Sequence, residues 1–110
     1  MQKMSIDALA RVHLERARQA KAGRSSETVY GGHEHTLRQT LVALTAETVL
    51  AEHENPGEAT VYVVSGRVRI NAGEDSWEGR KGDLIIIPPA RHDLVATEDA
   101  VVLLTVAMRL

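Results

Sequence analysis

The chain contains no cysteine. That excludes disulfides, thiolate metal sites and thiol nucleophiles together, and leaves nitrogen and oxygen as the donors for any bound metal. Phenylalanine is also absent and aromatic residues make up 3% of the chain, too few for a base-stacking surface. No apolar run approaches the ~18 residues that a membrane-spanning helix needs. The first residues, MQKMSIDALARVHLERARQAKAG, are charged and periodic, unlike a secretory signal peptide. Neither sign of charge dominates: the formal net charge is −2 with the signs interspersed, which provides no electrostatic footprint for nucleic acid or an anionic membrane. These absences lead to the expectation of a cytoplasmic protein with no nucleic-acid or membrane partner.

What is present fits one domain. A chain of 110 residues is close to the commonest domain size, and 44% hydrophobic with 25% charged residues is ordinary globular composition. The first segment predicts a helix from about Ser5 to Ala22, with Ser5 as N-cap, Asp7 in the first turn, and Lys21 then Gly23 at the end. Ile6, Leu9, Ala10, His13, Leu14, Ala17 and Ala20 form one packing stripe, opposite Arg11, Glu15, Arg16 and Arg18. No second helix stands behind it to make a helix-turn-helix, so it reads as a helix docked on the rest of the domain or on a partner. On that stripe His13 is a packing residue.

From Ser26 the period becomes strand-like, with turn signals at Gly31-Gly32, Asn55-Pro56-Gly57, Gly66, Lys81-Gly82-Asp83 and Pro88-Pro89. Strands are expected at 26–31, 36–43, 47–53, 59–66, 67–72, 76–80, 83–87, 92–97 and 100–108. Many short strands without intervening helices indicate an all-β sandwich or closed barrel, so the chain divides into an N-terminal helix, 1–24, and a β domain, 25–110. The strands Ala59 to Val64 and Ala100 to Ala107 are apolar on both faces, and something must cover them: the helix or a second subunit. Trp77, among charged neighbours, reads as a surface or interface anchor.

Two stretches carry the chemistry. His53 precedes a turn and a strand ending on Gly66, and His92 follows GDLIIIPPAR. This order resembles the small single-domain cupins, RmlC-like jelly-roll barrels, over about residues 36–108. The first cupin motif runs His, one residue, His, three or four residues, Glu, six residues, Gly. Counted back from Gly66, its places fall on Ala59, Asn55 and His53, so one of its ligands stands; Glu58 lies one residue before the glutamate place and could reach it through a bulge. The second motif runs Gly, five residues, Pro, one residue, Gly, two residues, His. Gly82 and Pro88 match it, Ala90 stands at the second glycine, and His92 arrives one residue early.

The resemblance implies a divalent metal as candidate cofactor: zinc, iron, manganese or nickel. Such an ion in a nitrogen and oxygen site needs about three protein ligands. The run His33-Glu34-His35 offers a replacement, since alternation along the next strand places His33, His35, Leu37, Gln39, Leu41 and Ala43 on one face. The expected ion is held by His35, His53 and His92, with water or Asn55 completing the shell; Gln39, Asn55 and Glu58 are the candidate ligand-pocket residues. Each has a plainer role open to it: a strand-end hydrogen bond for His53, a turn for His92, rim or subunit contact for His33 and His35, solvation for Glu58. The resemblance also implies a homodimer, two-fold by default. Two functions follow from it, a module binding a small polar ligand and a divalent metal in a histidine-lined pocket, and a metal-dependent enzyme of dioxygenase or isomerase type. A barrel kept for assembly alone is the third.

Overall fold

Helix formation starts at Ser5, whose hydroxyl accepts the Ala8 N–H at 3.1 Å. The structure, a computed structural model, describes residues 1–53 and 57–107, with backbone alone for Glu52 and His53. Helix α1 spans Ile6–Gln19, with Asp7 in its first turn and Arg16 and Arg18 in its last, each of the sign that complements the helix dipole. It ends before the expected Ala22. Ala20 is already extended, and the Gly23 carbonyl is held by the Thr45 N–H at 2.9 Å, so the chain must leave the helix to enter the sheet.

Nine strands follow: β1 Arg24–Gly31, β2 Leu37–Leu44, β3 Val49–His53, β4 Ala59–Ser65, β5 Arg67–Ala72, β6 Asp75–Arg80, β7 Leu84–Ile86, β8 His92–Ala96 and β9 Ala100–Ala107. Every expected strand exists, with ends displaced by a residue or two. They form two antiparallel sheets, ordered β1-β2-β9-β4-β7 and β3-β8-β5-β6. This is the expected all-β jelly roll with one N-terminal helix. The jelly-roll barrel expected over 25–110 is found with one difference: its two sheets are not closed into a barrel. Among the described residues no ladder joins them.

Two apolar clusters hold the fold together. Between the sheets lie Val42, Leu44, Val61, Val63 and Val102 from one and Val68, Ile70, Leu94 and Ala96 from the other. On the outer face of the five-stranded sheet, Leu41, Ala43 and Val101 meet Ala10 and Ala17 of α1. The helix therefore covers β2 and β9, while Tyr62 on β4 stays half-exposed and Leu84 and Ile86 on β7 are exposed.

His13 sits inside the helix–sheet contact, but not as a plain packing residue. It is 3% exposed, its Nδ1 is 2.7 Å from Ser25 Oγ and its Nε2 is 2.5 Å from Glu27 Oε1. Ser25 and Glu27 stand two apart on β1, so both point toward the helix. A polar stripe residue can be buried here because the strand beneath supplies partners for both ring nitrogens.

Asp99, in the β8–β9 turn, is a second tie. Its Oδ2 accepts from Arg18 Nε and its Oδ1 from the Ala46 N–H, both at 2.9 Å. The Ala46 N–H foremost, and the Arg18 guanidinium with it, hold its carboxyl below the usual carboxylate range. Gly66 makes the β4–β5 turn at φ 77, where an added Cβ would fall 2.0 Å from the Asp99 carbonyl oxygen.

Three outcomes follow. His13→Ala should cost about 2 kcal/mol or more, since it opens a void under α1 and strips partners from Ser25 and Glu27; urea unfolding measures it, and an unchanged midpoint would mean the clasp contributes nothing. Gly66→Ala should cost about 2 kcal/mol or more, from the left-handed backbone and the clash together, read in the same way. Because the folded-state pKa of Asp99 is depressed, its contribution is present above the ordinary carboxylate pKa of about 4 and is lost as pH falls through the lower folded value. Asp99→Asn should then narrow its stability gap to the parent protein as pH drops below about 4, by a small amount, because the side chain is 35% exposed.

Candidate functional site

Alternation along β2 decides what faces the interior. Arg38, Thr40, Val42 and Leu44 point between the sheets: Val42 and Leu44 belong to the inner cluster, and Arg38 and Thr40 line a cavity. Leu41 and Ala43 point to the helix. The face expected to look inward is thus the outer one, and Gln39 goes with it, donating from Nε2 to Thr105 Oγ1 at 3.2 Å and standing outside the cavity lining. The physical reason is the helix. Once α1 covers the outer face, residues 41–44 are buried on both sides, and hydrophobicity no longer marks the interior.

The cavity has a volume of about 320 Å³ and lies where β2 begins and β9 ends. Its walls are apolar, from Leu50, Val61, Ile70, Leu94 and Leu104, and five polar residues join them: Thr28, Arg38, Thr40, Thr60 and His92. Thr28 and Thr40 are cross-strand partners on β1 and β2. Arg38 faces Gly31 on β1 and Val106 on β9, so neither neighbouring strand sets a carboxylate opposite it. It is half-buried, and among the described residues it has no hydrogen-bond or ion-pair partner. No Asp or Glu lines the cavity among the described residues.

His92 is where the sequence motif directed attention, and it does line the cavity. It is 5% exposed, and its Nδ1 donates to the Ala90 carbonyl at 2.9 Å. A carbonyl only accepts, so Nδ1 carries a proton in this contact. Backbone register sets His53 directly opposite His92, after a break in the β3–β8 ladder between Leu50 and His53.

The other expected site residues are placed differently. His33 and His35 lie in the exposed turn before β2, where the His35 ring meets Tyr30 edge-on at 5.5 Å between centroids. His35 is not part of the cavity lining, because the strand parity that linked it to Leu37 begins only after that turn. Glu58 is exposed; its carbonyl accepts the Ala107 N–H at 2.8 Å. Asn55 lies outside the described residues. Among the described residues no group of three or more His, Asp or Glu side chains could hold a metal ion. Among the described side chains His92 is the histidine that lines the cavity, and one such donor does not by itself make a metal centre. The sequence reading missed Arg38, Thr28 and Thr40. The signal available was the alternation Arg38, Thr40, Val42, Leu44, as regular as the one chosen.

Comparisons with known proteins agree on the fold. A family model described as the cupin domain matches residues 40–108, more than half of the chain. Among solved structures, a conserved protein of unknown function from Streptococcus pyogenes superposes with a TM-score of 0.73 at 25% identity, over 83% of this chain and 79% of that one. A cupin superfamily protein from Desulfitobacterium hafniense gives 0.71 at 13% identity over 78% of each chain. An RmlC-like cupin protein from Desulfovibrio desulfuricans gives 0.67 at 22% identity, covering 76% of this chain and 81% of the other. No curated protein matches. With the jelly-roll topology, the cavity between its sheets and the family match over β2 to β9 in place, the chain belongs to the cupin family.

Proposed function

We propose that this cupin binds a small organic molecule in the cavity between its sheets. The observation that carries the reading is the convergence of Arg38, Thr28, Thr40 and His92 on an otherwise apolar space of about 320 Å³, at the lower end of the range for ligand sites. Apolar walls supply affinity by burial, and a few polar groups fix orientation. The pocket of this proposal differs from the expected one in its polar residues: Arg38, Thr28 and Thr40 replace Gln39, Asn55 and Glu58, and His92 is retained.

A second reading, metal-dependent chemistry of dioxygenase or isomerase type, is favoured by one specific observation. A ligating histidine usually donates its other ring N–H to a carbonyl or carboxylate, and His92 does so to Ala90 while standing opposite His53. A homodimer in a cytoplasmic setting completes the proposal. Its support is the exposed apolar row of Tyr62, Leu84 and Ile86 on β4 and the edge strand β7, where Tyr62 and Leu84 are register partners.

In a fragment screen followed by amide NMR, shifts should cluster on Thr40, Leu50, Leu94 and Leu104 and vanish in Leu104→Trp, which fills the cavity; a screen with no such cluster sinks the reading. Elemental analysis of untagged protein decides the second: a near-stoichiometric transition metal lost in His92→Ala would establish it, and metal-free protein from metal-supplemented cultures would remove it.

A further inference from the structure

We infer that the ligand of this cavity is a small organic monocarboxylate with an apolar body, anchored by Arg38; this rests on the small-molecule reading above. Three features of the chain combine to select that class.

The first is an unanswered cation. Arg38 is half-buried at the cavity, and none of the described residues pairs with it. Its two cross-strand partners are Gly31 and Val106, one without a side chain and one apolar. Gly31 is also held to its identity: at φ 88 an added Cβ would fall 1.8 Å from the Leu37 carbonyl oxygen, so the β1 partner of Arg38 sets no side chain of its own beside it. A planar guanidinium with open N–H groups matches a carboxylate through two parallel hydrogen bonds.

The second feature is the donor set beside it. Thr28 and Thr40 face each other across β1 and β2, two residues from Arg38 along β2, and both line the same cavity. Hydroxyls there can donate to the same carboxylate or accept from a ligand hydroxyl. No described acidic side chain lines the cavity, so no described carboxylate repels an anion entering it.

The third is the remainder of the wall. Leu50, Ile70, Leu94 and Leu104 offer no hydrogen-bonding side chains, so beyond what Arg38, the threonines and His92 can reach, the several hydroxyls of a sugar or the further oxygens of a phosphate dianion would be desolvated against hydrocarbon. A single anionic end on a mostly apolar body, with room for one polar group facing His92, is the complement of these walls. The space of about 320 Å³ holds about ten water-sized groups, which sets the size of the body.

The test uses benzoate and hexanoate as probes, with benzamide as the neutral isostere of benzoate, titrated by amide NMR into the full chain, Arg38→Gln and Leu104→Trp. Both carboxylates should shift cavity signals, lose affinity about ten-fold or more in Arg38→Gln, as expected for a charge-assisted bidentate contact, and weaken with added salt. Benzamide should bind more weakly than benzoate and equally to the parent and Arg38→Gln. If benzamide and benzoate bind alike and Arg38→Gln alters neither, the carboxylate inference is overturned while the cavity remains a small-molecule site. If neither carboxylate shifts cavity signals but other fragments do, the inference fails and the cavity reading stands; if no fragment does, both fail together. Should Arg38→Gln unfold, Arg38→Lys serves instead, with a smaller loss expected for the carboxylates because the charge stays and the fork is gone.

Discussion

Strand β9 must be buried on both faces, and the architecture is arranged around that requirement. It is the central strand of the larger sheet, laddered to β2 along its whole length and to β4 on its other side. Val102 and Leu104 point between the sheets, while Val101 and Leu103 point outward. A two-sheet sandwich satisfies only the inner face of such a strand. The outer face needs a separate cover, and α1 supplies it with a stripe of small residues, Ala10 and Ala17, that lets the helix approach closely. The helix is therefore not an appendage: the central ladder would otherwise present Val101, Leu41 and Ala43 to water.

Apolar contact alone does not fix where a helix lies on a sheet, because burial is non-directional. Two polar ties add direction. His13 joins the middle of α1 to Ser25 and Glu27 on the edge strand β1, and Asp99 joins Arg18, in the last turn of α1, to the backbone of Ala46 and so to the β2–β3 and β8–β9 turns. In the first the His13 ring is buried and depends on both partners; the second is partly exposed on both sides and weaker. Together they set the helix in two places on one sheet, leaving the far end of that sheet, with Tyr62, Leu84 and Ile86, uncovered.

The same arrangement creates the site. Toward Leu44 the inner space is filled to full burial, whereas toward Arg38 the strands carry threonine, arginine and glycine, and the sheets enclose a cavity instead of a packed core. Packing and recognition thus share the inner face of β2, divided along its length: Val42 and Leu44 for the core, Arg38 and Thr40 for whatever enters. His92 reaches the same cavity from the opposite sheet, oriented by its own turn through Ala90.

The sequence by itself determined the helix with its Ser5 cap, the succession of nine short strands, and the cupin family, because capping, two-residue alternation and turn residues are local and survive without knowledge of the partner strand. It also marked His92, whose place after Pro88 and Pro89 is a matter of spacing. It did not determine which face of β2 looks inward. Both registers of Leu37 to Leu44 carry apolar residues, one set answering the opposite sheet and the other answering α1, and a one-residue change of parity exchanges Gln39 for Arg38. Nor could spacing show that His13 is clasped by a serine and a glutamate from a strand yet to come, or that Arg38 stands without a carboxylate across either ladder. Those facts belong to the tertiary structure, because they depend on which strands become neighbours, and pairing between residues far apart in the chain is decided only when both faces of the sheet have found their cover.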